Sequence, residues 1–275
     1  MDQTEAEQVL RDVGNSAGRP VDIAGAALAL ASFDHPSVDQ EQYHRHLSEL
    51  ASDVGRAAGG TERLSERLDA LNTTLVAQYG YQGDSQSYDD LQNANLMKVI
   101  DRRKGLPVAL GILYIHVARA QGWVMSGLAF PGHFLLRLDG PNARLVIDPF
   151  HGGTQLEPHN LRDMLKTMTG NDAELLPEHY AEVSDRDILL RLQNNIKLRL
   201  IQQNNAEGAG NVVDRMLMLA PSEAGLWRES CLLNAKIGRL QAAIGAIQTF
   251  LDFDIGQAAR QEAVALLQQM RDRLN

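Results

Sequence analysis

The chain has 275 residues, of which 44% are apolar and 22% charged, with a formal charge of −9 and a single cysteine. That composition suits a globular protein with room for two compact units, and one cysteine excludes a disulfide framework. The acidic balance argues against a nucleic-acid or anionic-membrane surface, and no apolar run approaches the roughly 18 residues of a bilayer span.

Residues 1–19 are polar, contain Gly14, Asn15, Ser16 and Gly18, and lack the basic and apolar regions of a secretory signal. They are expected to form a loosely held leader of a cytoplasmic protein. From Val21 to about Leu75 the spacing is helical: Ile23, Ala27, Leu30 and Ala31 share a face, Asp34, His35 and Pro36 make a turn, and Leu47, Leu50 and Val54 form the next stripe. Gly59, Gly60 and Thr61 break that run. His35, His44 and His46 lie within it without a Cys or Glu cluster, so they read as surface or cap residues rather than metal ligands. A loop rich in Gly, Asp and Asn extends from Gly80 to Asn95.

Gly105 and Pro107 then start a helix, Pro being tolerated in the first turn because its missing N–H has no partner there anyway. Leu110, Leu113, Tyr114 and Val117 continue it toward Gly122. His133 to Leu138 and Ala143 to Phe150 are apolar, β-prone runs separated by the turn formers Asp139, Gly140, Pro141 and Asn142. A turn symmetric about Gly140 and Pro141 sets His133 opposite Asp148, with about 4.5 to 5.5 Å between Cβ atoms. An Asp at that range holds one imidazole nitrogen and leaves the other as a base, the orienting role in Cys-His-Asp sites. The plainer alternative is a strand histidine after a Pro-Gly turn and an Asp that opens the turn Asp148, Pro149, Phe150. His151 and His159 flank the same loop, and Gly152 and Gly153 close it.

A helix followed by two strands is also how a papain-like thiol site is assembled, with Cys at the helix N-terminus where unpaired N–H groups and the helix dipole stabilise the thiolate. The run RRKGLPVALGILYIHVARAQGWVMSGLAFPGHFLLRL, continued by LVIDPFHGG, resembles the core of the transglutaminase-like superfamily, in the bacterial branch usually called the SirB-type family. Members of that branch join the core to tetratricopeptide-like helices. YGYQGDSQSYDDLQNANLMKVIDRR and VDIAGAALALASFDHP resemble the branch as well, so the resemblance covers roughly residues 20 to 255. It implies an α+β fold: a mostly helical N-terminal part, a helix plus antiparallel sheet core, and an all-α tail. It also places the superfamily's His on His133, its Asp on Asp148 and its Cys near Pro107, Val108 and Ala109. None of those three residues can attack a carbonyl, and GIP-like residues stand there in the branch generally. The only thiol, Cys231, lies in a different helical pattern far downstream, and the nearest hydroxyls, Ser126 and Tyr114, do not begin a helix.

The tail carries a repeat. Ala209 and Ala243, Val213 and Ile247, Met216 and Phe250, and Leu219 and Phe253 are each 34 residues apart, the tetratricopeptide period. Pro221, Trp227 and Gly238 suit that pattern. Two units begin near Leu190 and Ala224, and a last helix runs from about Gln257 to Leu274. Ser230 and Asn234 stand where larger apolar residues are usual, and Cys231 is expected at a small-residue contact between paired helices. Asn194, Asn195, Asn204 and Asn205 resemble the polar inner face of a tetratricopeptide groove, where amides hold a peptide backbone; plain solvated helix positions are the alternative. The expected organisation is a leader over 1–19, a transglutaminase-like domain over 20–183 and a helical-repeat domain over 184–275.

Three functions fit. The first is a non-catalytic pseudoenzyme, an interaction or regulatory protein that binds a protein or peptide partner through its repeats and relic cleft. It is preferred because it accounts for the missing nucleophile and the tail together. The second is a hydrolase or acyl-transfer enzyme that uses His133 and Asp148 without a Cys nucleophile. The third is a small-ligand or peptide binder with His133 as hydrogen-bond partner. His133 and Asp148 are thus a relic dyad, Asn194 and Asn195 candidate binding residues, and no cofactor, metal, nucleic acid or membrane is expected.

Overall fold

The computed structural model describes residues 2–274. Contacts divide the chain into two compact units, one of residues 1–9 and 16–192, the other of residues 10–15 and 193–275. The fold is α+β.

The expected leader is instead a helix, α1 (Gln3–Gly14), with Ala6, Leu10 and Val13 buried. These three recur at i, i+4 and i+7, a helical stripe. The turn-forming run Gly14 to Gly18 only ends this helix and links it to the next.

In the first unit, α2 (Ile23–Ser32) is buried along its whole length and is capped by Asp22, whose Oδ1 accepts the Gly25 N–H at 3.0 Å. α3 (Glu41–Ala58) buries Tyr43, Leu47, Leu50 and Val54 at helical spacing and ends on Gly59 in the left-handed conformation. α4 (Leu64–Asn72) runs into a π-helical stretch, Thr73–Gln78. The short strands β1 (Gln82–Gly83) and β2 (Lys104–Gly105) pair in parallel, and between them lie a 3-10 turn, Leu91–Ala94, and α5 (Leu96–Arg102).

α6 (Pro107–Ala120) is the buried axis of this unit, with Pro in its first turn and contacts to α2, α3 and the sheet. The main sheet holds β3 (Val124–Leu128), β4 (Leu135–Asp139), β5 (Arg144–Asp148), β6 (Thr154–Leu156) and β7 (Glu182–Val183) in the order β6-β5-β4-β3-β7, every pair antiparallel. One face meets α6, where Gly111 has no side chain and the Phe134 ring fills the space a Cβ would need. The other is covered by α7 (Pro158–Thr169), with Leu161 and Leu165 against Leu128, Leu135 and Val146.

The β4–β5 register differs from the symmetric expectation. Asp139 pairs with Arg144 and Leu136 with Ile147, while the Gly140 N–H donates to the Ala143 carbonyl at 2.9 Å. The loop is therefore Gly140 to Ala143, centred on Pro141 and Asn142. Continued by one step, that register sets Leu135, not His133, against Asp148. His133 lies two residues ahead of that position, before β4 begins.

α8 (Asp185–Gln202) carries the chain into the second unit, followed by α9 (Ala206–Leu219), α10 (Ala224–Lys236), α11 (Leu240–Asp252) and α12 (Gln257–Leu274). α9 to α12 pack each on the next. Their core includes Cys231, Ala243, Ala246, Ile247, Phe250 and Met270, so the cysteine sits among small and apolar side chains, its Sγ 4.0 Å from Met270 Sδ. Asn234 and Ser230 are buried too and satisfy one another: Asn234 Nδ2 donates to the Ser230 carbonyl at 2.9 Å and to its hydroxyl at 3.2 Å. Gly14, grouped with this unit, approaches the backbone of Met218 and Leu219 so closely that a Cβ would strike their carbonyls. Two of the four asparagines proposed for a groove belong to a turn instead. Asn204 is left-handed at φ 57°, and Asn205 caps α9 by accepting the Gly208 N–H at 2.8 Å.

Candidate functional site

The hydrogen bond expected between His133 and Asp148 is present, although the register that suggested it is not. His133 Nε2 lies 3.1 Å from both carboxylate oxygens of Asp148. A diagonal neighbour two residues out of register remains within reach of a long side chain, and the Pro131–Gly132 bend, with Gly132 at φ 71°, brings the ring across.

Asp148 is the anchor. It ends β5, its side chain is only 3% exposed, and its Oδ1 accepts the backbone N–H groups of Phe150 at 2.9 Å and His151 at 3.3 Å. This is the Asx-type turn that Asp148, Pro149 and Phe150 announce. A third side chain joins the pair: His151 Nδ1 lies 2.7 Å from Asp148 Oδ2. Burial alone would raise the Asp148 pKa, but the bonds and charges of His133 and His151 outweigh it and hold the carboxyl below its ordinary value. His133 is also largely enclosed, at 11% side-chain exposure, whereas His151 is 66% exposed and forms the open side of the cluster.

Aromatic rings frame these groups. Phe150 stands edge-on to His133 at 6.4 Å, to His151 at 5.2 Å and to Tyr88 at 5.7 Å between centroids. On the residue after His133, the Phe134 ring carries the Arg191 guanidinium at 5.5 Å, and burial lowers the pKa of that arginine. Beneath Asp148 lies Tyr114 of α6, whose hydroxyl donates to Asn72 Oδ1 at 3.0 Å; burial and the Asp148 charge raise its pKa. Asn72 in turn donates to the Gly153 carbonyl at 3.0 Å, and the Gly153 N–H to the Asp148 carbonyl at 2.9 Å, so the His151 loop is pinned at its far end.

The start of α6 meets this loop across β1. The Gly83 N–H donates to the Phe150 carbonyl at 3.2 Å, and Gly83 pairs with Gly105, two residues ahead of Pro107. Pro107, Val108 and Ala109 are all buried, and none has a nucleophilic atom. Cys231 belongs to the other unit, fully buried, and desolvation raises its pKa rather than activating it.

The other sequence candidates are dispersed. Asn195 is engaged within α8, its Oδ1 and carbonyl both accepting from Arg199 at 3.0 Å, and Asn194 is half-buried on the same helix. His46 is neither a surface residue nor a cap. Its Nε2 lies 2.8 Å from Tyr81 Oη and 2.6 Å from Arg103 Nη1, and desolvation together with the Arg103 charge lowers its pKa to about 4. His151 is the member that residue patterns placed only loosely. Its signal was the three-residue spacing from Asp148 across a proline turn.

Comparison with known proteins places two matches along the chain. A family model described as "Transglutaminase-like superfamily" matches residues 41–194, and one described as "Tetratricopeptide repeat" matches residues 196–272. A UPF0162 protein of Xylella fastidiosa strain 9a5c is 29% identical over 89% of this chain and 90% of its own. A UPF0162 protein of Vibrio cholerae is 28% identical over 84% and 86%. Protein SirB1 of Salmonella typhimurium is 26% identical over 68% and 70%.

Proposed function

Because the chain belongs to the transglutaminase-like superfamily, in its SirB-type branch, and carries tetratricopeptide repeats, we propose that it is a cytoplasmic, non-catalytic interaction protein. Its repeat unit docks a protein or peptide partner, and its transglutaminase-like core keeps a relic cleft. The observation that carries this reading is the start of α6. Where the superfamily's thiol is expected, Pro107, Val108 and Ala109 are apolar and buried. A histidine base beside a carboxylate contributes only about 10² to 10⁴ in rate by itself, far short of what acyl transfer from an amide needs.

The repeat unit supplies a surface for docking. Leu198 and Ile201 on α8 and Leu232 on α10 are 48%, 41% and 44% exposed, apolar side chains left open to a partner. Leu198 and Leu232 stand one repeat apart, on the first helices of successive pairs. The Lys197–Glu229 ion pair, 2.5 Å, ties those two helices together beside them. Asn194 lies one turn before Leu198 and completes the proposed contact line.

The test is capture of the tagged chain's partner from its own host, comparing wild type with a Leu198→Asp/Leu232→Asp double variant and with His133→Ala. A stoichiometric protein retained by His133→Ala and lost by the double variant is expected. Glutamine crosslinking, deamidation or proteolysis that persisted in Cys231→Ser and vanished in His133→Ala would replace this reading with the hydrolase or acyl-transfer alternative. That alternative has one specific observation in its favour, the intact His133–Asp148 bond.

A further inference from the structure

We propose that His133, Asp148 and His151 form a binding site for a divalent cation of the zinc class, a borderline-soft ion held by two imidazoles and one carboxylate. The proposal stands whether or not the cleft turns over a substrate. His133 Nε2, a carboxylate oxygen of Asp148 and His151 Nδ1 all lie within 4.8 Å of one another.

Bond lengths of about 2.0 to 2.2 Å from zinc to nitrogen or oxygen put neighbouring donors of a tetrahedral site roughly 3.3 Å apart. Two of the three edges are already close to that, at 3.1 Å for His133 to Asp148 and 2.7 Å for His151 to Asp148. Only the edge between the two imidazoles must close. The ring that would move is His151, which is exposed and followed by Gly152 and Gly153, both at positive φ. The other two donors are enclosed and preset: the backbone N–H groups of Phe150 and His151 hold Asp148 Oδ1, and Phe150 packs edge-on against the His133 ring. Such outer contacts orient metal ligands before the ion arrives.

The donor set also selects the ion. Two nitrogens and a single carboxylate suit zinc, cobalt, nickel or copper, whereas calcium and magnesium require oxygen-rich shells. On binding, the ion replaces the hydrogens now shared between imidazole and carboxylate. Each histidine binds as the neutral imidazole, with its proton on the nitrogen that faces away, Nδ1 in His133 and Nε2 in His151, and any further proton it carries leaves as the ion enters. With three protein ligands and an exposed third side chain, a fourth position opens toward solvent and takes water.

The experiment uses the full-length, untagged chain stripped of metal and titrated with Zn²⁺ by calorimetry and with Co²⁺ by visible absorption, against His151→Ala, His133→Gln and a His159→Ala control. The expected result is one equivalent bound, a cobalt spectrum of low coordination number, affinity at least about tenfold weaker in His151→Ala and His133→Gln, and no change in His159→Ala. His151→Ala removes an exposed side chain, so its circular dichroism and melting should match wild type and keep the comparison valid. Absence of a one-equivalent event in wild type, or binding equally strong in His151→Ala and His133→Gln, would overturn the site.

Discussion

Asp148 accepts hydrogen bonds from two imidazoles and two backbone amides while almost wholly out of water. A buried carboxylate so placed is stabilised in its charged form, and its folded-state pKa is held below the unfolded value. Its contribution to stability is therefore complete above the ordinary carboxylate pKa and fades as pH falls through the lower folded value. Asp148→Asn keeps the shape but loses the charge, and should cost about 1 to 3 kcal/mol at neutral pH. The deficit should shrink in acid as wild type loses the same interaction. Urea denaturation of both proteins at neutral and acidic pH measures this, and an unchanged deficit across that range would count against the account. Turn chemistry, the helix that precedes the hairpin and the family resemblance together pointed to His133 and Asp148. They did not fix the geometry, because Asp139 to Asn142 are four consecutive turn formers and the choice of which close the loop rests on one bond, Gly140 to Ala143.

At the scale of elements, the cluster of His46, Tyr81 and Arg103 ties α3 to the β1–β2 pair. Arg103 is left-handed at φ 59°, which turns the chain from α5 into β2 and lays its guanidinium 4.9 Å from the Tyr81 ring centroid. His46 is neutral in this setting, with a folded pKa of about 4 against 6.5 when exposed. The unfolded chain thus binds a proton that the folded chain refuses between those values, and stability falls as pH drops through that window, with a slope of at most about 1.4 kcal/mol per pH unit. His46→Gln should flatten the pH dependence of the melting temperature between pH 6.5 and 4 while leaving it little changed above about pH 7; an unaltered profile would exclude His46 as its source. None of this was legible from the sequence. β1 and β2 are two residues each, too short to show a period, and their parallel pairing across α5 is a tertiary event. The long periodic elements behaved otherwise. α6, with its Pro start and continuous apolar stripe, and α12, with its span from Gln257 to Leu274, were both readable from local pattern.

At the scale of the molecule, the sequence conveyed the α+β core and the helical tail, because a 34-residue repeat and a helix-strand-strand run are signals spread over many positions. It did not convey that part of α1 belongs with the tail, since such membership depends on partners far away in the chain. No helix among the described residues is long and apolar enough to cross a membrane. The exposed leucines of the second unit are peripheral to its core, so Leu198→Asp/Leu232→Asp should change unfolding free energy by no more than about 0.5 kcal/mol per site. A chemical denaturation curve overlaying wild type would show that any lost partner is lost through the surface and not through the fold. A large shift in midpoint would instead make these leucines structural.

The close approach of Gly14 to the backbone of Met218 and Leu219 also orders events in time. About 200 residues separate those positions, and a ribosome adding about 5 to 20 residues per second takes on the order of 10 to 40 seconds to make them. Leu10 to Asn15 leave the ribosome well ahead of α9, the helix whose backbone packs against Gly14. Until α9 follows, this end of α1 lacks the neighbour that the finished fold gives it, so that contact of the second unit closes only after a long stretch of intervening chain has been made.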